Sequence, residues 1–118
     1  MSTPESLQLD VNIFIAPSDL QAFWEALEPA YQAVIAEKEC TQFEISVSED
    51  KEKDEVTIHF VESWAASLEW LTTVQSRKPY YKPYLEATEK MFKRPREGKI
   101  FKRLVNKSYA SETHFTKN

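Results

Sequence analysis

Residues 55–64, Glu-Val-Thr-Ile-His-Phe-Val-Glu-Ser-Trp, constrain this chain more than any other stretch. Val56, Ile58 and Phe60 alternate with Thr57, His59 and Val61, the period-2 pattern of a strand with two unequal faces. Beyond Trp64 the period changes, and Leu68, Leu71 and Val74 recur at helical spacing. The sequence therefore predicts a strand that passes into a helix, at about 64–75, across no more than a residue or two. What lies upstream has to pair with that strand, and what lies downstream has to cover it.

The upstream part supplies two partners. Residues 7–15 alternate strictly and predict a first strand; residues 42–48, with Phe43, Ile45 and Val47 on one face, predict a second. Between them, Leu20, Phe23, Trp24, Leu27, Tyr31, Val34 and Ile35 form an i, i+3, i+4 stripe four to five turns long. Ser18 with Gln21 gives a capping-box start for that helix. Pro29 falls on its outer face, where it removes one backbone donor. A charged turn at 49–54 joins the second strand to the third. Downstream, Arg77-Lys78-Pro79 interrupts the helical pattern and a further helix is expected at about 80–92. Pro83 is tolerable there only within the first turn. Arg94 to Gly98 is expected as a loop, Lys99–Val105 as a fourth strand, and 107–118 as a polar tail that is mobile unless something holds it.

This order is β-α-β-β-α-β, which predicts a single α+β domain of the ferredoxin-like kind over residues 1–118, with its core at about 7–106 and helices on one face of a four-stranded antiparallel sheet. The uncovered face would present Gln8, Asp10, Asn12, Phe14, Glu44, Ser46, His59 and Val61. Bulky apolar groups there invite a second sheet, so a homodimer is expected.

Composition removes several function classes. The chain has one glycine, so it holds no Gly-rich phosphate loop; one cysteine, Cys40, which cannot form an internal disulfide; and two histidines far apart in sequence, which make no metal cluster. No cofactor and no metal are therefore expected. No apolar run is long enough to cross a bilayer, and an intracellular, cytoplasmic protein with no membrane partner is expected. A net charge of −4 and a pI near 5.2 disfavour nucleic acid as a partner. The RNA-binding version of this element order also needs a glycine on strand three, and there is none. Charge is uneven all the same: Glu49, Asp50, Glu52, Asp54 and Glu55 crowd the middle, and seven Lys and Arg lie between 90 and 103. These are either two solvated segments or an acidic turn that docks on a partner's basic edge.

Several runs, in order, resemble the antibiotic biosynthesis monooxygenase (ABM) domain: Phe23 with Ala26-Leu27-Glu28-Pro29, then Glu39-Cys40-Thr41-Gln42-Phe43-Glu44, Glu62-Ser63-Trp64 and Pro79-Tyr80-Tyr81. The resemblance covers roughly residues 8–104. It implies a dimeric α+β barrel in which each subunit keeps a pocket between sheet and helices. It also implies a cofactor-independent oxygenase of anthrones or quinols, or a heme-degrading enzyme. The strand-ending tryptophan of the anthrone-type oxygenases matches Trp64, and a later aromatic matches Trp70. Their asparagine, histidine and arginine fall at Phe60, Glu44 and near Leu85. In the heme-degrading branch the first-strand asparagine corresponds to Asn12, whereas the helical tryptophan and iron-ligating histidine fall at Thr73 and about Pro83.

The candidate catalytic residues are thus His59, the histidine within the folded region and a base near neutral pH, and Asn12, able to hold a substrate oxygen. Candidate substrate-binding residues are Trp64, Trp24, Trp70, Phe60, Tyr80 and Glu44. Each has a plainer reading: core packing for the tryptophans, surface packing for Tyr80, and interface hydrogen bonding for His59, Asn12 and Glu44. Two functions stay open, a small monooxygenase acting on an aromatic or polyketide-like molecule and a non-catalytic dimeric barrel that binds a hydrophobic ligand or a protein partner.

Overall fold

The computed structural model describes residues 5–116. Strands β1 (Leu7–Ile15), β2 (Cys40–Asp50), β3 (Glu55–Trp64) and β4 (Glu97–Lys102) form one antiparallel sheet in the order β2-β3-β1-β4. Helices α1 (Leu20–Ile35), α2 (Leu68–Thr73) and α3 (Tyr81–Thr88) complete the βαββαβ order. The expected α+β, ferredoxin-like architecture is what the chain adopts.

Register fixes the faces. Val11 pairs with Phe60 and Ile13 with Ile58, so odd positions of β1 and even positions of β3 point toward the helices. Ile13, Ile15, Ile58 and Phe23 have no exposed surface, and Leu27, Val56, Phe60 and Tyr84 pack with them. The Phe23 ring anchors this cluster, with Trp24, Phe60 and Tyr84 rings 5.6, 6.4 and 6.0 Å away. A second cluster, Val34, Trp64 and Leu71, closes the far end. Pro29 is exposed, as its outer-face position requires, so α1 runs on through it from Leu20 to Ile35.

Several local expectations are corrected. A 3-10 turn, Pro17–Asp19, leads into α1, and its N-cap is Asp19 with no side-chain cap bond, so the Ser18/Gln21 capping box does not form. Three residues, not one or two, separate Trp64 from Leu68. Helix α2 starts where Ser67 Oγ accepts from Trp70 N (3.0 Å). It ends at Thr73, and of its apolar triad only Leu71 is buried; Leu68 and Val74 are exposed. Helix α3 likewise stops at Thr88, with a 3-10 turn to Met91. Gly98 lies within β4, opposite Val11, so the last strand begins and ends earlier than Lys99–Val105.

The charged turn is held within the chain. Asp50 Oδ1 accepts from Glu52 N and Lys53 N (3.1 and 3.2 Å), and Asp54 takes the left-handed conformation, φ 51°, which Asp tolerates. Lys93 Nζ donates to the Lys53 and Asp54 carbonyls (2.9 Å each), and Arg94 pairs with Glu55 (3.2 Å). The Arg94 guanidinium also sits 3.6 Å from the Phe14 ring centroid. Phe14 is therefore buried, not bare. Past β4, Val105–Lys107 form a 3-10 turn, and His114 returns to pair with Glu44 on the uncovered sheet face (3.2 Å). That part of the tail is tied to the sheet; Lys117 and Asn118 lie outside the described residues.

Candidate active site

A cavity of about 580 Å³ lies between the helix-facing side of the sheet and the helices. Each element supplies its wall by periodicity. Leu9, Val11 and Ile13 come from β1, Phe43 from β2, and Phe60, Glu62 and Trp64 from alternate positions of β3. Leu27, Ala30, Tyr31 and Val34 come from one stripe of α1, Leu71 from α2, and Tyr81, Tyr84 and Leu85 from α3. Arg96, Glu97 and Gly98 form part of the rim. Tyr31, Phe43 and Phe60 meet edge to face in sequence, each pair 5.3 Å between centroids. The wall is mostly aromatic and aliphatic, with Thr72 and Ser76 also lining it, a lining suited to an apolar ligand.

One carboxylate interrupts it. Glu62 is 7% exposed, and burial, opposed only by the hydrogen bond from Trp64, pushes its carboxyl up to about 7. Trp64 Nε1–H donates to Oε1 at 3.2 Å. Tyr81 and Tyr84 are raised above the ordinary tyrosine range, chiefly by burial, so both hydroxyls stay protonated. The positive charge of Arg96 opposes the shift at Tyr84, while the negative charge of Glu62 adds to it at both. Behind the wall, Gln75 Nε2 donates to the hydroxyls of Tyr80 and Tyr81 (2.6 and 2.9 Å), and Tyr80 donates to Glu37 (3.2 Å). Burial raises Cys40 to about 11, which keeps its thiol protonated.

The structure brings Trp64 and Phe60 together in this cavity and leaves the other sequence candidates elsewhere. Trp24 packs on Phe23, Trp70 backs Trp64 (6.2 Å between centroids), and Tyr80 lies behind Tyr81 (4.8 Å). His59, Asn12 and Glu44 occupy the opposite face of the sheet. There His59 Nδ1–H donates to Asn12 Oδ1 (2.6 Å), and Nε2 lies 3.7 Å from Asp10 Oδ2. A substrate stacked on Trp64 therefore cannot have His59 or Asn12 of the same chain beside it, because β3 lies between. The residue missed was Glu62. The signal was present, since positions 60, 62 and 64 of one strand share a face. Among the described residues, no group of three or more His, Cys, Asp or Glu is placed to hold a metal ion, and no helix is long and apolar enough to cross a membrane.

No family model matches the chain. A solved structure of a "putative antibiotic biosynthesis monooxygenase" from Nitrosomonas europaea superposes with a TM-score of 0.68 at 15% identity, over 88% of this chain and 95% of that one. Another of the same description, from Caulobacter crescentus, gives 0.69 at 14% identity, over 86% and 92%. The chain has the ABM fold. The ABM resemblance read from the sequence is thus borne out at the level of the fold. In sequence, the chain is 29% identical over 105 residues to a Pestalotiopsis microspora protein called a "putative monooxygenase", covering 89% of this chain and 85% of that relative.

Proposed function

We propose that this ABM-fold chain is a small cofactor-independent monooxygenase that acts on a flat aromatic or polyketide-like molecule. The similarity to a relative called a monooxygenase supports the general class. The observation that carries the finer reading is the aromatic cavity of about 580 Å³ with a single buried carboxylate in its wall. A deprotonated anthrone or hydroquinone is electron-rich enough to pass an electron to O₂ itself. The protein need only bind it, take a proton and exclude water. For an anthrone, the reacting CH₂ loses both hydrogens, one oxygen atom becomes its carbonyl, and the other leaves as water.

The working form we propose is a homodimer joined through the uncovered sheet face. That face still exposes Phe101 of β4, and Val61 of β3 is only partly buried. A non-catalytic barrel that binds a hydrophobic ligand is the second reading. It is favoured by the position of His59 and Asn12, which lie outside the cavity. Oxygen uptake with anthrone and hydroquinone substrates separates the two. Turnover supports the enzyme; tight binding, read by intrinsic tryptophan fluorescence, with no uptake supports the binding protein.

A further inference from the structure

We propose that Glu62 is the proton acceptor of the cavity, with its Oε2 meeting the acidic O–H or activated C–H of a neutral aromatic substrate. This inference rests on the monooxygenase reading and names the residue that reading lacks.

The geometry is that of a held base. One carboxyl oxygen, Oε1, is fixed by the Trp64 indole N–H at 3.2 Å, while Oε2 has no protein hydrogen-bond partner among the described residues. Glu62 lines the cavity and is 7% exposed, so its carboxyl borders the space a ligand would fill and meets little bulk water. The spacing of two along β3 puts both side chains on the cavity face of the strand, with the carboxylate at the N–H edge of the indole. The base is thus positioned by the tryptophan.

The remaining titratable groups around it do other work. Tyr81 and Tyr84 of α3 keep their protons and can only donate to an oxygen. Cys40, at the entry of β2, also stays protonated. Arg96 and Glu97 are exposed at the rim. Tyr84 Oη is buried with no hydrogen-bond partner among the described residues, so a donor is left over for the oxygen that gains charge as the proton leaves. The transfer is simple to balance: the substrate O–H or C–H bond breaks, its electron pair stays on the substrate, and the proton forms a bond to Oε2. Molecular oxygen is the oxidant in the step that follows. The substrate should enter neutral, because an anion would meet a carboxylate in an apolar wall. A carboxyl held near neutrality is matched to take a proton at working pH.

The test uses the full-length chain. Glu62→Gln keeps the acceptor for Trp64 Nε1 and removes the base. With anthrone, kcat should fall on the order of 100- to 10,000-fold, with anthrone affinity, read by calorimetric titration, changed less than about threefold. The wild-type pH profile should show an acid limb near pH 7 that the variant lacks. A merely structural carboxylate would leave both the rate and the limb in place, and that result overturns the assignment. So does loss of turnover in His59→Ala with full activity in Glu62→Gln. A measurement independent of turnover covers an inactive wild type. The infrared carboxyl band that disappears in Glu62→Gln should move when anthrone binds. A band that does not move overturns the assignment. A band that moves in a protein without oxygen uptake upholds the contact and refutes the monooxygenase reading instead.

Discussion

Glu62 makes the stability of this protein depend on pH in a direction opposite to most carboxylates. Its ordinary value is 4.5 and burial takes it to about 7 in the folded chain. Between those values the folded state holds a proton that the unfolded state has released, so stability falls as pH rises through the window. The contribution is fully present below about pH 4.5 and lost above about pH 7. A shift of roughly 2.5 units at about 1.4 kcal/mol each is about 3 kcal/mol. The group is buried, so solvent screening does not discount it as it would a surface carboxylate. Glu62→Gln has no such proton. Thermal unfolding of both proteins, at one protein concentration and at several pH values from 4 to 8.5, isolates the term, because every other carboxylate titrates in both. The variant's advantage should grow by about 3 kcal/mol across the window, or roughly 10 °C in Tm for a domain of this size. A difference that stays flat from pH 4 to 8.5 would show that the carboxyl is solvated, and would refute the picture of a charge held in an apolar wall.

Gly98→Leu should block the cavity without unfolding the chain: a Cβ built there meets nothing nearer than Asp10 O at 4.0 Å, and the side chain would point into the space between sheet and helices. Calorimetric titration with anthrone should show at least a tenfold loss of affinity with Tm nearly unchanged. Ser67→Ala removes the cap on Trp70 N and should cost about 1 kcal/mol in urea unfolding, because α2 has few turns with which to compensate. Sedimentation at micromolar concentration should return a dimer of the 13.8 kDa chain; a monomer alone would be evidence against the sheet-to-sheet assembly.

The sheet was legible because strand periodicity is local. Positions 7–15 and 55–64 alternate without a break, and the observed bounds of β1 and β3 agree with them. The last strand, Glu97–Lys102, starts before the expected Lys99 because a glycine, which reads as a loop residue, lies inside it at Gly98. On an edge strand a glycine loses few contacts, and here its missing side chain leaves room at the cavity rim. The extent of α2 was overread for a different reason. Leu68, Leu71 and Val74 have helical spacing, but only Leu71 reaches the core, and Thr72 and Thr73 hydroxyls turn back to the carbonyls of Leu68 and Glu69. Spacing reveals a helical tendency; it does not show whether another element is near enough to be covered. The site was half legible. Trp64 and Phe60 follow from the strand's parity, whereas His59 was singled out by residue type, and its odd position carries it to the other face.

That parity also bears on why a glutamate stands at position 62. Its charged form works against folding by about 3 kcal/mol near pH 8 even with the one hydrogen bond it accepts, from Trp64 Nε1, already counted. Glutamine would accept the same bond without the desolvated charge. A glutamate here is therefore not explained by packing or by orientation of the indole, each of which a neutral isostere supplies. Its opposite-face counterpart is different: His59 is half-buried and joined to Asn12 and Asp10, so its polar atoms are met by neighbours on adjoining strands. Stability accounts for the polar network on the uncovered face. It does not account for a buried carboxylate in the wall of an aromatic cavity, which is what the proposed role as proton acceptor would explain.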